Sequence, residues 1–226
     1  IFRIFNKLPY IPKIESFNNK VFSGLSSLWI TVLSSQFFIH FPVILVSLLL
    51  SKKDVALFSV SYNISLLIPF FLIAVNNAYA PVISELYSQK KYNELISINK
   101  KVIKLIFIST APIILLILFF SDIILSLFGD NYTSAKYLLI YLSIAQSVNV
   151  LVGSTANLLN MTGNEKVLRN INLISIIIFF IYIFFSLNSI LIIDIVIALS
   201  IAIIVQNLLS YVAVKKLLGI NSLKFN

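Results

Sequence analysis

Cysteine is absent from this chain, which removes disulfide bridging and thiolate metal ligation from what it can do. Histidine occurs once, at His40, and the eight carboxylates are scattered as Glu15, Asp54, Glu85, Glu94, Asp122, Asp130, Glu165 and Asp194. No nucleophile has a base at a recognisable spacing, so the residues give no basis for an enzyme, and neither a metal nor a cofactor is expected. Charge is scarce as well. Only 11% of the 226 residues are charged, against roughly 25% in soluble domains, while 59% are hydrophobic and mean hydropathy is +1.01. A chain of this kind has lipid as its solvent. Its backbone groups must then bond within the segment, and the long apolar runs predict an all-α, polytopic membrane bundle. The net charge of +9 points to membrane lipids rather than nucleic acid, because the lysines flank apolar runs, where they orient helices and meet anionic headgroups.

Six such runs are present, at residues 22–50, 55–79, 102–118, 135–159, 167–187 and 190–214. Each suits a helix crossing roughly 20 residues of hydrocarbon. The predicted layout is a linker segment at 1–20, one six-helix lobe at 21–217 and a tail at 218–226. Residues 82–101 carry Ile83, Leu86, Tyr87, Leu95 and Ile98 among Lys, Asn and Glu, which predicts an interfacial helix at about 82–101. The chain opens Ile1-Phe2-Arg3 without an initiator methionine, and its first apolar run exceeds the 7–15 residues of a signal peptide. A piece of a longer protein is expected.

The basic residues test this topology. One side of the membrane receives Arg3, Lys7, Lys13, Lys20, Lys90, Lys91, Lys100, Lys101, Lys104, Lys166, Arg169, Lys215, Lys216 and Lys224; the other receives Lys52, Lys53 and Lys136. By the positive-inside rule both termini are expected in the cytoplasm.

Polar residues inside the runs are the candidates for function. In the fourth run Gln146, Asn149, Gly153, Asn157 and Asn160 are spaced 3, 4, 4 and 3 apart, so on one continuous helix they fall within an arc of roughly 80°. Asn63 and Asn77 in the second run, with Ser59, form a weaker stripe, as does Asn207 in the sixth with Ser200 and Ser210. Ser23, Ser27, Thr31 and Ser34 line the first run, where hydroxyls serve helix packing. An amide facing lipid loses water without compensation, so these faces are expected to turn toward protein or a wet path. Amides both donate and accept, which suits sugar hydroxyls. His40, near Gln36 and Pro42, is a candidate for proton coupling. Pro42, Pro69 and Pro112 each delete a helical hydrogen bond, and kinks are expected there. No carboxylate is predicted at the bilayer centre, which argues against a cation site built wholly from this chain.

Several segments together resemble a known family. They are Phe58-Ser-Val-Ser-Tyr-Asn-Ile-Ser65, Ala74-Val-Asn-Asn77, Ala80-Pro-Val-Ile-Ser-Glu-Leu-Tyr87, Leu127-Phe-Gly-Asp-Asn-Tyr132, Ala145-Gln146 with Asn149 and Gly153, Asn160-Met-Thr-Gly-Asn-Glu-Lys166 and Val214-Lys-Lys-Leu-Leu-Gly219. Spanning about residues 47 to 219, they are similar to the C-terminal half of oligosaccharide flippases of the multidrug, oligosaccharidyl-lipid and polysaccharide exporter superfamily. Ser47 and Ala56 depart from it where glycine is expected, as does the turn Leu187-Asn-Ser-Ile190. The resemblance implies the second of two six-helix lobes, with a missing N-terminal lobe as partner. It also implies alternating-access transport of undecaprenyl-pyrophosphate-linked oligosaccharide across the bacterial inner (plasma) membrane, with no bond made or broken. Two other functions are weighed beside it: a cation-coupled drug exporter of the same superfamily, and a membrane scaffold or polymerase subunit without transport.

Overall fold

The computed structural model describes residues 19–220, with side chains from Trp29 onward except Ser35 and Asn188. Most of the expected linker and of the tail, and the side chains of Ser23 and Ser27, lie outside the described residues. The described chain is an all-α membrane bundle: α1 (Asn19–Leu49), α2 (Lys52–Ser65), α3 (Phe70–Ser88), α4 (Tyr92–Phe119), α5 (Ser121–Ser126), α6 (Lys136–Val152), α7 (Thr155–Met161), α8 (Glu165–Ser186) and α9 (Ile192–Leu218). Short 3-10 turns at Asp130–Ala135 and Leu187–Ser189 link α5 to α6 and α8 to α9. Among the described residues, five helices are long and apolar enough to cross a membrane, and six when the bent pair α2–α3 is taken as one span.

Three expected elements differ from the structure. The second run is two helices meeting at 51°. Between them Leu67, Ile68 and Phe70 donate only to the carbonyls three residues back, at 3.1 to 3.4 Å, and Pro69, which has no N–H to donate, starts α3. Helix α1, by contrast, runs through Pro42, and α4 through Pro112. The fourth run breaks between α6 and α7 at Gly153. The interfacial helix expected at 82–101 is divided: α3 continues to Ser88, and α4 starts at Tyr92 after a turn in which Lys90 adopts φ +59°. The 28 residues of α4 extend about 42 Å, so its basic first turns project beyond the roughly 30 Å of hydrocarbon.

Two apolar clusters hold the bundle. The first joins α1, α2, α6, α8 and α9 through Phe38, Phe58, Leu142, Phe179 and Leu199; the second joins α3, α4, α7, α8 and α9 through Tyr79, Ile83, Leu95, Leu158, Leu168 and Val214. Large apolar side chains such as Leu48, Phe119 and Phe185 remain exposed, as lipid-facing positions require. The connections α3–α4, α7–α8 and the end of α9 gather Lys90, Lys91, Lys166, Lys215 and Lys216 at one end of the bundle, opposite Lys52, Lys53 and Lys136.

Candidate functional site: an amide-lined cleft

A cleft of about 220 Å³ opens where the two broken spans meet α1 and α9. Phe38 and Ile39 of α1 and Tyr62 and Leu66 of α2 form its apolar side, extended by Pro69 and Ile73 around the bend. Gln146 and Asn149 of α6, with Ala156 of α7, face Ile203, Gln206, Asn207 and Ser210 of α9. The bend at 66–69 sets the apolar wall. Tyr62 is anchored there by its hydroxyl, which donates to the Phe38 carbonyl at 2.9 Å.

The polar groups are partly engaged with one another. Asn149 Nδ2 donates to Gln146 Oε1 at 3.2 Å, Asn207 Nδ2 to the Ile203 carbonyl at 2.9 Å, and Ser210 Oγ to the Gln206 carbonyl at 2.8 Å. Gln206 Nε2 donates to Oδ1 of Asn172, a buried residue of α8, at 2.8 Å. Among the described residues, the side-chain oxygens of Asn149, Gln206 and Asn207 and the Nε2 of Gln146 take no part in these bonds. The cleft therefore offers acceptors and a donor with no lining residue charged. Such a surface recognises neutral hydrogen-bonding groups.

Three sequence-predicted residues, Gln146, Asn149 and Asn207, come together here. The others do not line the cleft. Gly153 is buried at the break, with φ +71° and ψ −146°, a conformation that only glycine adopts without strain. A Cβ there would also sit 2.9 Å from Cγ1 of Ile103. The break ends the single stripe expected from 146 to 160, because the register of α6 does not carry through into α7. Asn157 turns to α3, where its Nδ2 donates to the Asn76 carbonyl at 2.9 Å. Asn160 is half-buried, its Oδ1 without a partner among the described residues. Asn63 and Asn77 are exposed; Asn77 lies one turn beyond Ile73 on α3. His40 is exposed next to Ile39, its Nε2 3.1 Å from Gln36 Oε1. Among the described residues no group of three or more His, Cys, Asp or Glu is placed to hold a metal.

Gln206 and Asn172 escaped sequence reasoning. The signal for Gln206 was its spacing of four from Ser210, overshadowed by the neighbouring Asn207. Asn172 sits in a run whose lipid-like composition hides a single inward amide.

A polar cleft with no charged lining residue thus lies among helices long and apolar enough to cross a membrane. The MatE family model matches residues 28–185, and the chain belongs to this family, whose members are membrane transporters rather than enzymes. Over 151 residues, 65% of this chain, it is 27% identical to a probable low-salt glycan biosynthesis flippase of Haloferax volcanii. The chain spans 31% of the length of that relative. No solved structure matches.

Proposed function

We propose that this chain forms one lobe of a flippase that carries a lipid-linked oligosaccharide across the membrane by alternating access, and that the amide-lined cleft contacts the sugar. The carrying observation is the neutral set Gln146, Asn149, Gln206 and Asn207, whose unpaired donor and acceptors match hydroxyls. The glycan flippase among its relatives supports the same substrate class. A cation-coupled drug exporter is the weaker alternative, since no carboxylate lines the cleft. In this proposal a preceding six-helix lobe faces the cleft, the carrier is undecaprenyl pyrophosphate, and the setting is the bacterial plasma membrane. The lysine-rich end is then cytoplasmic.

The test separates cleft contact from helix knitting. In the full-length protein, Asn149→Leu with Asn207→Leu is expected to reduce glycan translocation at least tenfold while thermal stability and abundance hold. Asn157→Leu, which breaks the bond to the Asn76 carbonyl, is expected to lower stability by about 0.6–1.7 kcal/mol with transport per folded molecule kept. Undiminished translocation by the Asn149/Asn207 variant defeats the assignment of the cleft.

A further inference from the structure

We propose that the lysine-rich end of the lobe carries a binding site for the headgroup of an anionic phospholipid, seated between the α3–α4 turn and the C-terminal end of α9. A second cleft of about 230 Å³ lies there, lined by Tyr87, Tyr92, Ile96, Leu217, Leu218 and Ile220. It shares no residue with the amide-lined cleft. Lys90 and Lys91 sit in the turn between its two tyrosines, and Lys215 and Lys216 immediately precede Leu217. Two lysine pairs from distant parts of the chain thus adjoin, in sequence, the residues that line one cleft.

All four lysines are exposed, and none is ion-paired or hydrogen-bonded through its side chain among the described residues. Of the nearby carboxylates, Glu85 holds Gln89 at 3.1 Å and Glu94 is exposed in the first turn of α4. Positive charge prevails. The turn is built rather than loose: Lys90 N–H donates to the Tyr87 carbonyl at 3.1 Å and Lys91 N–H to the Leu86 carbonyl at 2.9 Å. The rings of Tyr87 and Tyr92 meet at 5.7 Å and 64°. Helix α4 begins here with no side-chain cap on its first N–H groups.

The surroundings select a lipid over a soluble anion. The cleft stands at the end of membrane-spanning helices, at the depth of headgroups, where tyrosine pairs anchor and clustered lysines attract anionic lipid. Ile96, Leu217, Leu218 and Ile220 give the cleft an apolar side, against which the glycerol backbone and the first methylenes of the acyl chains can lie. A bound lipid would clamp the α3–α4 hairpin to the last helix.

The full-length protein, purified in detergent, titrated with phosphatidylglycerol or phosphatidylcholine of identical acyl chains and followed by native mass spectrometry, tests this. Preferential retention of phosphatidylglycerol is expected, weakening with salt. Lys90→Asn with Lys91→Gln, and separately Lys215→Gln with Lys216→Gln, should each weaken it by roughly tenfold or more. Asparagine at 90 tolerates the left-handed backbone. All four changes together should abolish the preference, and arginine at all four positions should keep it. Lys52→Gln with Lys53→Gln, at the opposite end, should leave it unchanged. Persistence of the preference in the four-lysine variant overturns the site, as does equal loss in the Lys52/Lys53 variant. Displacement of the lipid by millimolar inorganic pyrophosphate, with no preference for phosphatidylglycerol over phosphatidylcholine, also overturns it.

Discussion

The two halves of the bundle bury different things. Toward the lysine-poor end, Phe37, Phe41, Phe179 and Phe180 interlock α1 with α8, with Phe37 and Phe41 stacked at 4.5 Å and Phe179 edge-on to Phe37 at 5.9 Å. Such pairs contribute about 0.5–1.5 kcal/mol each beyond their area. Atoms left without a partner there, among the described residues, are the small hydroxyls of Ser61, Ser143 and Ser200. Toward the lysine-rich end the core holds Asn76 Oδ1, Tyr79 OH, Asn99 Oδ1 and Asn160 Oδ1 without partners, together with Ser154 beside the Gly153 break. One half is closed by directional ring packing. The other leaves hydrogen-bonding capacity unspent next to an interrupted helix.

Breaking the first half should have the largest effect. Phe179 is fully buried and touches rings on α1, so Phe179→Ala is expected to cost about 3–5 kcal/mol, read as an early thermal unfolding transition in detergent. A loss below about 1 kcal/mol would mean the aromatic half is not the rigid one.

At the boundary between the halves, Gly153→Ala forces a side chain into a glycine-only conformation and toward Ile103. The expected loss is about 2–3 kcal/mol from strain and crowding together. Adding Ile103→Ala should restore the part due to crowding and none of the part due to φ. Full recovery would mean that space, not backbone conformation, governs the break.

The sharpest comparison is the smallest in magnitude. Tyr62→Phe removes a buried hydrogen bond to the Phe38 carbonyl and should destabilise by about 0.5–1.5 kcal/mol. Tyr79→Phe removes a buried hydroxyl that has no partner and should be neutral or slightly stabilising. Equal losses, measured by chemical unfolding of both variants, would show that the second half satisfies its polar atoms as fully as the first.

Composition and period were enough for the helical membrane class, the placement of six runs and the separation of basic residues to opposite ends, because lipid demands internally bonded apolar helices whatever their neighbours are. Gln146, Asn149 and Asn207 were legible as candidates for the same reason: an amide in an apolar run has few tolerable places. Sequence spacing assumes an unbroken 100° per residue, and that assumption fails at Gly153, where the positive-φ break packs against Ile103, and between Leu66 and Pro69, where the span bends. Only the tertiary structure therefore decided that Asn157 binds α3 and not the cleft, and that Gln206 reaches Asn172. It alone brought Tyr87 and Tyr92 together with Leu217, Leu218 and Ile220 around one cleft. Contacts between residues tens of positions apart are set by how whole helices pack, and helix packing leaves no local mark in the order of the residues.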